Sequence, residues 1–62
     1  SLYNVACSHS IAGASDDALG FLVRAIDAGF GYKEWLENDS DFDTIREHPI
    51  FQALLARLSP TE

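Results

Sequence analysis

Three groups of residues carry side chains that could do chemistry. Cys7 and His9 place a nucleophile near a base. On a helix, however, positions two apart point in different directions. A thiol also needs a neighbour that lowers its pKa before it can attack. Cys7 is therefore expected to be a small, semi-buried thiol at a helix contact, and His9 to pack against the second helix. Asp39, Asp41 and Asp43 alternate as in the opening of a calcium loop. That loop requires Gly at its sixth place and Glu at its twelfth, and Thr44 and Ile50 stand there instead. Helix capping and solubility account for the aspartates, with Glu34, Glu37 and Glu47 completing an acidic rim. Two histidines and one cysteine do not make a four-ligand zinc set, so neither a metal nor a cofactor is expected. Asn38-Asp39-Ser40 matches a glycosylation sequon, expected to stay unused without a secretory signal. Tyr32 and Trp35 could stack on a ligand, although core or cap packing is the expectation. Arg46 is expected to pair with Asp43 or Asp39 and, as an exposed pair, to add little.

Composition narrows the classes further. The 62 residues carry 10 acidic against 4 basic side chains, a net charge of −6. So few Lys and Arg give no clustered footprint for a phosphate backbone, and no nucleic-acid partner is expected. A single cysteine rules out an internal disulfide. No apolar run approaches the ~20 residues a membrane-spanning helix needs, and no membrane partner is expected. Nothing at the N-terminus reads as a signal peptide, which favours the cytoplasm or an organelle interior. The chain starts at Ser1 and holds no Met, and it is expected to be a piece of a longer protein. At 47% hydrophobic residues it is not a disordered acidic tail. Apolar burial at 25 cal/mol/Å² and ordering at ~1.5 kcal/mol per residue each come to about 90 kcal/mol for this length. The balance is near zero, so a partner surface is expected to help hold the fold.

The elements that must position these side chains are helical throughout. Residues 2–12 read as a helix with Leu2, Val5, Ala6 and His9 on one face. Gly13 supplies a left-handed stop. Ser15 is the expected N-cap of a second helix, with Asp16 and Asp17 in its first turn. That helix runs to Ala28 through Ala18, Leu22, Ala25 and Ile26, and Gly29 ends it. A three-residue link between two helices predicts an antiparallel hairpin. Residues 31–38 read as a short third helix with Tyr32, Trp35 and Leu36 inward. Ser40 and Asp43 have capping-box spacing and would open a brief turn of helix through Phe42 and Ile45. His48 is the expected cap and Pro49 the first position of a last helix. Phe51, Leu54, Leu55 and Leu58 form its apolar stripe, and Pro60 closes it. No strand pattern competes, so the fold class is all-α.

Residues 1–30 resemble a tetratricopeptide repeat. The resemblance rests on Tyr3-Asn4-Val5-Ala6, Gly13 seven residues after Ala6, and the small-large-small series Ala18, Leu22, Ala25. The family's closing Pro is absent, with Gly29-Phe30 in its place. Residues 30–55 resemble the tail that often follows the last such repeat: a short helix, an Asp-rich turn, Ile45-Arg46 where Leu-Arg is usual, then Phe51-x-x-Leu54-Leu55. Ser40 replaces that tail's usual Pro.

The resemblance implies one small unit with a hairpin over 1–30 and a capping tail over 31–62. Trp35, Phe42, Ile45, Phe51 and Leu55 would cover the open end of the hairpin. It implies a non-enzymatic protein-interaction module whose first helix lines a ligand groove, with Tyr3, Asn4, Cys7, Ser10 and Ile11 as partner-binding residues. With no Lys or Arg in residues 1–23, a clamp for a partner's carboxylate is not supported, and a basic or apolar protein or peptide segment is expected. Leu2 and Val5 would face upstream repeats or a second copy of the chain. Two alternatives stand beside this reading: a homodimer stacked through the open hairpin face, and a regulatory tail of a larger signalling enzyme.

Overall fold

A computed structural model describes residues 1–58. Pro60, expected to close the last helix, lies outside them. The described residues form α1 (Leu2–Ile11), α2 (Ser15–Asp27), α3 (Lys33–Asn38), a 3-10 helix (Ser40–Ile45) and α4 (Pro49–Arg57), with no strand among them. The fold is all-α.

Each boundary has a local cause. Ser1 caps α1, its side-chain oxygen accepting from the Asn4 N–H at 3.3 Å. Gly13 takes a positive φ of +81°. It lets the Gly13 and Ala14 N–H groups reach back to the Ser10 and His9 carbonyls, satisfying groups the helix end would otherwise orphan. Gly29, at φ +108°, repeats the device at the end of α2, and the Phe30 N–H bonds to the Ala25 carbonyl. Ser15 is not the N-cap of α2. The tight turn after Gly13 delivers the chain into the helix one residue early, so Ala14 takes the cap position with no side-chain hydrogen bond. Asp39, not Ser40, caps the 3-10 helix, its Oδ1 accepting from the Asp41 N–H at 3.0 Å. His48 caps α4 as expected, Nδ1 accepting from the Ile50 N–H, with Pro49 in the first turn.

One core joins the two halves of the chain. Ala6 and Ala18 are fully buried where α1 meets α2, and their small side chains allow the backbones to approach. Leu22, Leu36, Phe42, Ile45 and Phe51 are the large side chains that fill the space between α2, α3, the 3-10 helix and α4. Phe42, Ile45, Phe51 and Leu55, expected to cover the open end of the hairpin, are buried in this core. Trp35 is not: it is 58% exposed, and Tyr32 is 51% exposed. In a helix of six residues, Leu36 alone turns inward, and its neighbour Trp35 lies about 100° around the axis.

α3 is too short to hold itself by its own backbone bonds. Arg46 does much of that work from the end of the 3-10 helix. Its guanidinium donates to the carbonyls of Leu36 (2.9 Å), Glu37 (2.5 Å) and Asp39 (2.6 Å) and pairs with the Asp43 carboxylate at 2.9 Å. It thereby caps the C-terminal carbonyls of α3.

Candidate functional site

The face of α1 expected to line a groove is covered by the chain's own 3-10 helix. Ser10 is fully buried, its hydroxyl donating to the Asp41 carbonyl at 2.6 Å. Thr44 returns a bond from its hydroxyl to the Ser10 carbonyl at 3.1 Å. Cys7, 8% exposed, faces the same segment. Cys7 and Ser10, expected to meet a partner, are instead buried against this segment, and Ser10 spends its hydroxyl on it. Tyr3 is half-buried, donating its hydroxyl to Asp39 Oδ2, stacked on Phe30 at 4.6 Å and edge-on to Phe42 at 5.5 Å. Asn4 and Ile11 are exposed, Ile11 at 65%. Leu2 and Val5 are half-buried.

Tyr3, Cys7, Asp39 and Asp41 meet in one cluster that sequence spacing does not reveal. One ligand atom each from Cys7, Asp39 and Asp41 lies within 4.8 Å of the others. Burial first, and then the Asp39 and Asp41 carboxylates, push the Cys7 thiol up to about 11. Burial first, and then the hydrogen bond to Asp39 and the charge of its carboxylate, hold the Tyr3 phenol well above its ordinary value. Near neutral pH both groups keep their protons, so Cys7 is a poor nucleophile here. Both Asp39 oxygens are engaged as acceptors, one from Tyr3 and one from the Asp41 N–H. The cluster is a junction that ties α1 to the tail. Asp43 stands apart from it, drawn to Arg46. His9 packs on α2 as expected, its ring 5.0 Å from Phe21 and its Nδ1–H donating to the Val5 carbonyl.

What remains open to a partner is an aromatic shelf where the start of α1 lies beside the end of α2. Tyr32 and Trp35 stack at 5.0 Å, and Phe30 meets both edge-on at 5.6 and 6.2 Å. Beside them runs an open, mainly apolar groove of about 560 Å³, lined by Leu2, Tyr3, Ala25, Ala28, Phe30 and Trp35 among others. Across Trp35 lies a second, open cleft of about 440 Å³ lined by Tyr3, Glu34, Trp35, Asn38 and Asp39. Of these residues Tyr3 was expected to meet a partner, whereas Tyr32 and Trp35 were expected to turn inward and are instead exposed. The Tyr32–Trp35 spacing of three says that the two rings are neighbours but carries no signal of which way they face.

No helix among the described residues is long and apolar enough to cross a membrane. No family model, no curated protein and no solved structure matches the chain.

Proposed function

We propose that this chain is a non-enzymatic protein-interaction module, built like a terminal tetratricopeptide repeat with its capping tail, that docks an apolar, basic segment of a partner protein. The observation that carries the reading is the exposed Tyr32–Trp35 pair bordering the groove of Leu2, Ala25 and Phe30. Large aromatics left half in water beside an apolar channel are common at recognition surfaces, where they anchor a partner at low entropic cost. The net charge of −6 favours a basic partner over an acidic one. The high pKa of Cys7 and the internal engagement of Ser10 support a binding role over a catalytic one. Relative to the sequence expectation, the docking surface moves from the middle of α1 to its N-terminal end, keeping Tyr3 and Asn4 and losing Cys7 and Ser10.

A second reading, self-association of two copies through Leu2 and Val5, draws support from Leu2 lining the same groove. Light scattering over a hundredfold concentration range separates the two. A monomer is expected, and its one tryptophan then reports docking directly through Trp35 fluorescence as peptides combining Leu and Arg are added. A blue shift in the wild type that is absent from Leu2→Asp supports the module. A dimer that dissociates in Leu2→Asp or Val5→Asp supports the second reading. A monomer whose Trp35 emission answers to none of the peptides overturns the proposal.

A further inference from the structure

We infer that the cleft between Glu34, Trp35 and Asp39 is a subsite for a guanidinium group, so that the docked segment carries an arginine next to its apolar anchors. The inference rests on the interaction-module reading and adds the partner's chemistry. Trp35 is 58% exposed, and its indole is braced from one side by Tyr32 at 5.0 Å. A planar cation stacks on an indole face better than any neutral side chain. Around the same cleft stand three acceptors. Glu34 is exposed and joins no ion pair among the described residues. Asn38 spends its amide N–H on the Glu34 carbonyl at 2.8 Å, leaving its side-chain oxygen for a donor. Asp39 also lines the cleft; each of its carboxylate oxygens already accepts one bond, from Tyr3 and from the Asp41 N–H, but Arg46 reaches only its backbone carbonyl, so no ion pair among the described residues neutralises its charge. An exposed indole in a cleft that two carboxylate residues and an asparagine also line suits a guanidinium, which presents one flat face and five N–H donors. An ammonium fits the charge but not the plane. About 440 Å³ of open cleft admits the guanidinium and its methylene stem, while the adjoining groove takes the neighbouring apolar side chains.

The test is a titration of the 15N-labelled full chain followed by NMR, using three uncharged-backbone probes: N-acetyl-arginine amide, N-acetyl-citrulline amide and N-acetyl-leucine amide. Citrulline keeps the shape of arginine and removes its charge. The arginine probe is expected to shift the Trp35 indole N–H and the Glu34 and Asn38 signals, and to bind about three- to tenfold tighter than citrulline. Glu34→Gln should weaken it about threefold, and Trp35→Ala should abolish the shifts at Glu34 and Asn38. Both residues are exposed, and circular dichroism verifies that the variants stay folded. Equal binding of arginine and citrulline, or arginine shifts that persist in both variants, overturns the inference. Leucine amide distinguishes the two levels of the argument. If it perturbs the Leu2–Phe30 groove while arginine leaves Trp35 unmoved, the module stands and the guanidinium subsite falls. If arginine binds at Trp35 while leucine leaves the groove unmoved, the subsite stands and the apolar docking surface falls.

Discussion

Replacing Arg46 tests whether this small fold is held by an ion pair or by capped carbonyls. The guanidinium makes one salt bridge, to an Asp43 side chain that is 70% exposed, and three bonds to the carbonyls of Leu36, Glu37 and Asp39. The Arg46 side chain itself is only 24% exposed and lies over the Phe51 ring at 5.9 Å. An ion pair with so exposed a partner is worth about 0.2–1 kcal/mol. A charged donor on a carbonyl is worth about 1.5–3 kcal/mol when buried, and roughly half that in partial solvent. Three such bonds, which share one side chain and do not add fully, give about 2–4 kcal/mol for Arg46→Ala. A domain of this length has a total stability of only about 3–9 kcal/mol. Arg46→Ala is therefore expected to remove much of the fold's stability, and Asp43→Asn less than about 1 kcal/mol. Arg46→Lys should recover only part of the loss, because an ammonium cannot fork across three carbonyls. Urea denaturation followed by circular dichroism measures all three. The reasoning is refuted if Asp43→Asn costs as much as Arg46→Ala, or if Arg46→Ala costs under about 1 kcal/mol.

Other expectations follow from the same contacts. Cys7 ionises near 9 when unfolded and at about 11 in the fold, so between those values the native state holds a proton the unfolded state has released. Stability is then complete below pH 9 and falls as pH rises toward 11; Cys7→Ala should flatten that fall in pH-dependent melting curves, and a fall that is equally steep in the variant would contradict it. Tyr3→Phe keeps the ring stack on Phe30 but deprives Asp39 of its donor, and should lower stability by about 1–2 kcal/mol in urea melts. Gly29→Ala meets open space but must hold φ +108°, so a loss of about 1–2 kcal/mol is expected from backbone strain alone. Trp35→Ala should change the melting midpoint little, since the indole is mostly in water, while removing peptide binding.

Helix pattern was the legible part of this sequence, because it is written in periodicities of three and four and in glycines that end helices. Gly13 and Gly29 stop α1 and α2 where the left-handed positions require, and Pro49 and His48 start α4. Cap identity was less legible: Ala14 and Asp39 took positions that Ser15 and Ser40 were better suited to by type, because the preceding turn, not the side chain, sets where a helix begins. The fate of α1 was not legible at all from local pattern. Ser10 looks like a surface residue of a groove, and Cys7 reads as both a groove residue and a semi-buried thiol at a helix contact, until a segment thirty residues downstream folds across them, a long-range pairing that no local spacing encodes.

That pairing bears on how a partner can bind. With Ser10 locked to Asp41 and Thr44, and Tyr3 to Asp39, opening the middle of α1 would break hydrogen bonds and expose Phe42 and Ile45 from the core. A partner competing for that face must offset those losses before it gains anything. The end of the helix pair demands no such exchange. There Tyr32 and Trp35 already stand in water, and covering them returns apolar area to a dry environment at once. The physical asymmetry between the sealed middle and the open end supports the proposed docking at the aromatic shelf. It also makes a prediction: Thr44→Val, which weakens the seal without touching the shelf, should lower stability by about 1 kcal/mol in urea melts and leave peptide affinity at Trp35 unchanged. A peptide that bound more tightly to Thr44→Val than to the wild type would show that the partner enters beneath the 3-10 helix instead.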